Sequence, residues 1–197
     1  MPAARPLPRL PHMIHEMRLA TAAVALALLW LLTPTALAGE PVPEPADYRM
    51  TDFRAPVPAS LAGARVVDTD AARALMDAGA VMIDVYPRAP KPPNLPAGTV
   101  WRDPAHESIE GGHWLPNVGY GKLAAEPEAY FRKHLERLSG GDKAKPLVFF
   151  CLENCWMSWN AAKRALAWGY VNVAWYPDGT DGWRAAGLPL TRATPVE

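Results

Sequence analysis

Short apolar runs alternate with stretches of helical spacing over most of the chain after residue 63. Four runs are short, are bounded by polar or turn-forming residues, and are predicted as strands: residues 65–68, 80–85, 147–150 and 171–176. Three stretches carry apolar side chains at helical spacing, with glycine after each: residues 69–78, 127–138 and 158–168. This alternation predicts an α/β fold, with an open parallel sheet of about five strands and helices on both faces.

Proline marks the boundaries of the predicted domain. Residues 39–62 are rich in proline and are predicted to form an extended lead with little regular structure. The domain is then predicted to span residues 63–190 and to be followed by a tail at 191–197. A second proline-rich stretch, residues 87–96, is predicted as a surface loop because proline lacks the N–H that a central strand needs. After it, Val100 and Trp101 are expected to pair only briefly.

The first 38 residues differ in composition from the rest of the chain. Three arginines precede an apolar run over residues 19–32, and alanines at positions 36 and 38 then provide a small-x-small cleavage site. This pattern predicts a signal peptide cleaved after Ala38. The run is shorter than the roughly 20 residues needed to span a bilayer, so we expect a soluble periplasmic protein without stable membrane insertion. Three methionines are candidate start sites: Met1, Met13 and Met17.

Charge and composition narrow the function classes. The chain of 197 residues has 20 basic and 20 acidic side chains, so no net charge draws it to nucleic acid or to an anionic membrane surface. Half of the residues are hydrophobic, which predicts a packed core rather than disorder. One globular domain is therefore expected.

The two cysteines of the chain lie four positions apart in the loop Cys151-Leu-Glu-Asn-Cys155-Trp156, between a predicted strand and a predicted helix. Ligands of open parallel sheets bind beyond the carboxyl ends of the strands, where this loop should lie. Backbone N–H groups and the helix dipole stabilise a thiolate or a bound anion at such a place. Cys151 is therefore the predicted nucleophile. An oxidising compartment would also permit a disulfide to Cys155 if the two Cα atoms lie within about 7 Å.

Several segments resemble the successive signatures of a rhodanese domain: residues 81–88, 112–117, 147–151 and 169–189. The stretch from Cys151 to Ala162, with its C-x3-C-W spacing, further resembles the CXXCW-motif proteins associated with PQQ-dependent catabolism, an exported rhodanese-like group linked to periplasmic alcohol oxidation. The resemblance implies a rhodanese-like fold, with Cys151 at the persulfide-forming position and Asp84 at the end of the strand that carries the family's acidic residue. It also implies a partner, either a periplasmic redox protein or a PQQ-dependent dehydrogenase system.

The loop departs from ordinary rhodanese loops because it offers no arginine for an anionic sulfur donor. Four further predicted site residues surround the cysteines: Glu153, Asn154, Trp156 and Ser158. A carboxylate at Glu153 would raise the pKa of Cys151, and Lys163 and Arg164 lie two helical turns or more away. We therefore predict that Cys151 attacks a disulfide or accepts a sulfane sulfur, and that Cys155 resolves the product by closing an internal disulfide. The predicted activity is that of a sulfurtransferase or a thiol-disulfide oxidoreductase, and this chemistry requires no cofactor.

Two alternatives from other classes stay open. Two thiolates at this spacing can bind Cu(I), with His113 or His106 as a third ligand. A non-catalytic accessory could instead stack a quinone cofactor on Trp156 and Trp159, since aromatic faces bind planar ligands. The remaining tryptophans of this region are predicted to fill the core: Trp168, Trp175 and Trp183. Covalent haem is excluded because tryptophan, not histidine, follows the second cysteine.

Overall fold

A parallel sheet of five short strands forms the centre of the computed structural model, which describes residues 41–102 and 104–197. The described residues contain seven strands, two of which, β3 and β7, lie outside this sheet: β1 (Arg65–Val66), β2 (Val81–Asp84), β3 (Glu107–Ile109), β4 (His113–Trp114), β5 (Leu147–Phe150), β6 (Val173–Tyr176) and β7 (Leu190–Arg192). The helices are α1 (Thr69–Asp77), α2 (Ala125–Ser139), α3 (Trp156–Ala167) and α4 (Gly179–Ala185). The central sheet has the order β1-β6-β5-β2-β4, and all its neighbours are parallel.

Helices cover both faces of the sheet, because apolar side chains on each central strand alternate between two cores. On β5, Leu147 and Phe149 pack with α2 and α3, whereas Val148 and Phe150 pack with α1 and α4. All four residues of β5 are fully buried, as expected for a strand covered on both faces. The predicted α/β class, with an open parallel sheet of about five strands and helices on both faces, is confirmed.

Helix α3 begins two residues earlier than the sequence pattern predicts. Cys155 has an extended backbone and is the N-cap, so the helix starts at Trp156 rather than at Ser158. The loop between β5 and α3 is therefore only five residues long and has a cysteine at each end. Short loops of this kind keep the side chains at their two ends close together.

The proline-rich segment, residues 41–62, is part of the compact unit, which begins at Pro41 rather than near Gly63. It has little regular structure, as expected, because proline cannot donate to a sheet. Its carbonyl groups remain available, and those of Pro56 and Ser60 accept hydrogen bonds of 3.1 Å from the indoles of Trp156 and Trp159. The segment therefore packs against α3 along its extended course.

The predicted tail also packs against the domain. Strand β7 pairs antiparallel with β3 in a small second sheet. Beyond it, the Val196 carbonyl accepts a hydrogen bond of 2.7 Å from the hydroxyl of Tyr130 on α2. After the proline-rich loop at 87–96, Val100 and Trp101 do not form a strand.

The predicted signal peptide at 1–38 lies outside the described residues. Within residues 41–102 and 104–197, no helix has the length and apolar character needed to cross a membrane.

Candidate functional site

The thiols of Cys151 and Cys155 meet at the carboxyl end of β5. Cys151 follows the strand directly, and Cys155 caps α3. Both thiols are free, they are 0% and 2% exposed, and they are hydrogen-bonded to each other. Asn154 has a φ of 53°, in the left-handed region, which turns the chain back toward Cys151. The loop is therefore tight enough to bring the two sulfur atoms into contact.

Helix α4 holds the loop from the other side. The N–H of Thr180 donates a 2.9 Å hydrogen bond to the Cys151 carbonyl, and Leu152 forms a bridge with Gly179. Gly179 has a φ of +54°, and a Cβ built there would lie 2.6 Å from the carbonyl carbon of Cys151. Only glycine fits this position, both by conformation and by space.

The surroundings of Cys155 favour its thiolate. The hydrogen bond from Cys151 lowers the pKa of Cys155, while burial opposes this effect. The N–H groups of Met157 and Leu152 and the positive charge of Arg54 lower the same pKa further. Arg54 comes from the proline-rich segment, where it forms an isolated antiparallel bridge with Cys155.

The surroundings of Cys151 favour its neutral thiol. Burial is the main cause that raises the pKa of Cys151 well above its usual range, and the contact with Cys155 and the charge of Asp84 act in the same direction. A single N–H, that of Leu152, opposes them. The first proton lost from the two thiols therefore leaves its negative charge mainly on Cys155.

A cavity of about 270 Å³ opens onto both cysteines. Its walls are mainly apolar and aromatic, and they include Phe53, Tyr86, Pro87, Tyr120, Leu152 and Met157. Arg54 also lines it, and among the described residues Arg54 has no ion pair. A larger groove of about 630 Å³ shares Tyr120 and carries Lys91 and Lys122, but no cysteine lines it. The smaller cavity is therefore the candidate site.

The predicted loop carboxylate does not line this cavity. Glu153 is exposed, and its backbone N–H donates a 3.1 Å hydrogen bond to the side chain of Asp181 on α4. The pKa of Asp178 is raised by burial and then by the charge of Glu153, so the Glu153 carboxylate acts on the start of α4. Asn154 is likewise exposed and contributes through its backbone turn.

The predicted aromatic walls lie elsewhere. Trp156 and Trp159 are buried and pack edge to face, with ring centroids 5.4 Å apart, and neither lines the thiol cavity. Ser158 is also buried; its hydroxyl donates to the Cys155 carbonyl and accepts from the indole of Trp175, both at 3.0 Å. These three side chains anchor the first turn of α3 rather than facing a ligand.

The candidate third metal ligand does not join the cysteines. His113 lies on β4 beside Ile83, and burial is the main cause that lowers its pKa. Among the described residues, no group of three or more histidine, cysteine, aspartate or glutamate side chains is arranged to hold a metal ion. The copper alternative therefore lacks a third ligand within residues 41–102 and 104–197.

A buried carboxylate cluster lies next to the thiols; the sequence marked Asp84 and, as a candidate metal ligand, His106, but not their contact. Asp84 ends β2 opposite Phe150 and is fully buried. Its Oδ2 lies 2.7 Å from Nε2 of His106 and accepts a 2.6 Å hydrogen bond from Ser108, while its Oδ1 accepts one from the N–H of Tyr86. The acidic residue after an apolar run drew attention to Asp84, but no spacing pattern pointed to this contact, to Ser108 or to Arg54.

Comparison with known proteins gives little further information. No protein-family model matches the chain, and no curated protein matches it. A similar solved structure is the solution structure of the 30 kDa polysulfide-sulfur transferase homodimer from Wolinella succinogenes. It has 20% sequence identity over 66% of this chain and 80% of that chain, with a TM-score of 0.44. A likeness at this level establishes neither a shared family nor a shared activity.

Proposed function

We propose that this protein performs thiol chemistry with Cys151 and Cys155, as a rhodanese-like sulfurtransferase or a thiol-disulfide oxidoreductase. The observation that carries the proposal is the contact between two buried thiols that face a cavity at the carboxyl end of the sheet. Structural cysteines in a core have no need of an adjoining cavity or a nearby cation. Here both are present, since Arg54 lines the same cavity.

Two adjacent thiols can complete a two-electron exchange without a cofactor. A thiolate attacks a sulfur–sulfur bond of the substrate, forms a new bond to one sulfur and expels the other as a thiolate or a sulfite. The second thiol then attacks the first cysteine sulfur, closes the internal disulfide and transfers its proton to the sulfur that leaves. Two electrons pass from the protein thiols to the substrate. A dithiol reductant would return the protein to its starting state.

We further propose that the protein works in the periplasm, beside a PQQ-dependent dehydrogenase system or a redox protein that serves it. The support is the signal-like pattern in residues 1–38 together with the CXXCW resemblance of the loop. Cell fractionation and the mass of the exported protein test this part. A mature protein that begins at Gly39 is expected, and retention of the full chain in the cytoplasm would contradict it.

The thiol function is tested by redox titration of the reduced protein against dithiol buffers without oxygen, with intact mass as the readout. The expected result is a reversible loss of two hydrogen atoms at a potential between about −120 and −270 mV. Cys151→Ser and Cys155→Ser are matched controls, and neither variant should show the transition. Thiols that never pair and accept no sulfur, with copper retained in stoichiometric amount, would contradict the proposal and favour a metal site.

A further inference from the structure

We propose that Cys155 is the thiol that attacks the substrate, and that Arg54 binds a small anionic sulfane-sulfur donor, a thiosulfate or a low-molecular-weight persulfide, beside it. This inference rests on the proposed thiol function and specifies its chemistry. It reverses the order that the strand-end position of Cys151 suggests. It also assigns a role to a residue nearly 100 positions away from the loop.

The two thiols differ in their position and in the groups around them. Cys155 caps a helix of 12 residues, and the N–H groups of Met157 and Leu152 donate to its sulfur, as does Cys151. Helix N-termini and donated hydrogen bonds stabilise a thiolate. Cys151 is fully buried and is affected by the negative charge of Asp84, which opposes a second negative charge. The attacking thiolate therefore forms on Cys155, and the neutral thiol of Cys151 is suited to the later, resolving step.

Arg54 is the cation beside the thiols. Arg54 is exposed, lines the thiol cavity and has no ion pair among the described residues. Its backbone is fixed beside Cys155, by the bridge to that residue and by the adjoining hydrogen bond of 2.9 Å that the N–H of Trp156 donates to the carbonyl of Phe53. A guanidinium binds an oxyanion through two parallel hydrogen bonds. Arg54 thus supplies the positive charge that the cysteine loop itself lacks.

The side chains of the groove next to the thiol cavity include positive charges. The adjoining groove, which shares Tyr120 with the cavity, carries Lys91 and Lys122. Glu153, the one acidic residue of the loop, acts on Asp178 at the start of α4 and does not line the cavity. Lysines in an adjoining groove raise the local concentration of small anions. The charge distribution therefore favours an anionic donor over a neutral one.

The size of the cavity limits the donor. Cys151 and Cys155 are 0% and 2% exposed and line a cavity of about 270 Å³. The rings of Phe53 and Tyr120 meet edge to face across 5.3 Å at its wall. A disulfide on the surface of a folded protein cannot reach sulfur atoms with so little exposure, whereas a donor of a few heavy atoms fits the cavity. The donor is therefore a small molecule.

The resulting reaction balances in atoms and electrons. The thiolate of Cys155 attacks the outer sulfur of the donor, the donor's sulfur–sulfur bond breaks, and its electron pair leaves with sulfite or with a small thiolate. Cys155 then holds a persulfide. Cys151 attacks the Cys155 sulfur, the terminal sulfur leaves as hydrosulfide with the proton of Cys151, and the internal disulfide forms. A dithiol reductant restores both thiols.

The test is to treat the reduced full chain without oxygen with thiosulfate in one arm and with cysteine persulfide in another, and to locate the new persulfide by alkylation, proteolysis and mass spectrometry. Cys151→Ser should accumulate the persulfide on Cys155, because resolution is blocked. Cys155→Ser should form persulfide on Cys151 at least about tenfold more slowly than wild type forms it on Cys155. The arm that reacts identifies which anionic donor is used, and a persulfide located on Cys155 in either arm supports the inference.

Arg54→Gln should slow transfer from the anionic donor about tenfold, the loss expected for a charged hydrogen bond. Its reaction with a small uncharged disulfide should slow less, because that reaction loses only the effect of Arg54 on the Cys155 thiolate. Arg65→Gln removes another exposed arginine, on β1 at the edge of the sheet, and is the matched control. An equal effect of Arg54→Gln on charged and uncharged probes would overturn the role of Arg54.

A measurement on the unaltered protein covers the case in which a variant fails to fold. Limiting amounts of iodoacetamide, which is uncharged, should modify Cys155 before Cys151. Faster modification of Cys151, or a persulfide that forms on Cys151 in Cys155→Ser at the wild-type rate, would overturn the inference while leaving the thiol function intact. A wild-type protein that forms neither a persulfide nor a disulfide would instead overturn the proposed function itself.

Discussion

The carboxylate cluster around Asp84 and the thiol pair lie side by side, at the ends of neighbouring strands β2 and β5. Both are buried, and both lie at the carboxyl edge of the sheet where ligands of parallel sheets bind. They differ in how many of their hydrogen-bonding positions are occupied by protein partners. Both oxygens of Asp84 have fixed partners, in His106, Ser108 and the N–H of Tyr86. The two thiols contact each other and face a cavity.

This difference separates a structural group from a reactive one. Neither burial nor position at the sheet edge is enough to identify a reactive group, since Asp84 has both. A reactive group also needs a cavity through which a substrate can approach it. It needs in addition a neighbouring charge that stabilises its ionised form. The thiols have the cavity and Arg54, whereas Asp84 fixes the backbone at Tyr86, whose ring forms one wall of that cavity. The cluster therefore shapes the site, and the charge of Asp84 favours the neutral thiol of Cys151.

Asp84→Ala should have the largest effect, because it removes a filled acceptor and leaves His106 and Ser108 buried without their shared partner. We expect a loss of about 3–5 kcal/mol in the free energy of unfolding, measured by urea denaturation. A loss below about 1 kcal/mol would mean that water replaces the carboxylate, and the contrast between the two regions would fail.

Gly179→Ala should come next, because the new methyl group would meet the backbone of Cys151 in a conformation that favours glycine. We expect a loss of about 3 kcal/mol together with slower alkylation of Cys155. Gly187→Ala is the matched control, since Gly187 also has a positive φ, of +71°, but has no atom within 4 Å of the added Cβ. It should cost about 1 kcal/mol and leave alkylation unchanged. Equal losses in the two variants would show that the loop does not depend on this contact.

Ser108→Ala should have the smallest effect, because Asp84 keeps its contacts with His106 and Tyr86. We expect a loss of about 1 kcal/mol by the same denaturation measurement. The rate of Cys155 alkylation should stay at the wild-type value, since Ser108 does not line the thiol cavity. A marked change in that rate would show that Ser108 affects the thiols as well as the stability of the cluster.

The regular elements were predictable from the sequence because their signals are local. The apolar run at 147–150 is β5 at the same residues, and the helical stretch at 127–138 lies within α2. The position of the cysteine loop at the sheet edge follows from the same pattern. Each of these predictions depends on spacing within a few turns of the chain, which the sequence displays directly.

The contacts of the proline-rich segment were not predictable in this way. Its prolines correctly exclude helix and strand, but they carry no signal for where the segment packs. Arg54 reaches Cys155 across 101 positions, and His106 reaches Asp84 across 22. The direction of the Glu153 carboxylate was also hidden, because it depends on the packing of α4. Side-chain partners that are brought together only by tertiary structure leave no periodic trace.

The packing of the proline-rich segment against α3 affects the order in which the chain folds. The hydrogen bond from the indole of Trp156 to the Pro56 carbonyl joins residues 100 positions apart. At synthesis rates of about 5–20 residues per second, the segment waits roughly 5–20 seconds for its partner to be made. Contacts of such long range form late in folding, after local helices and strands. The part of the domain that is synthesised first is thus expected to dock last. Until it docks, both cysteines are exposed to any oxidant that the nascent chain encounters.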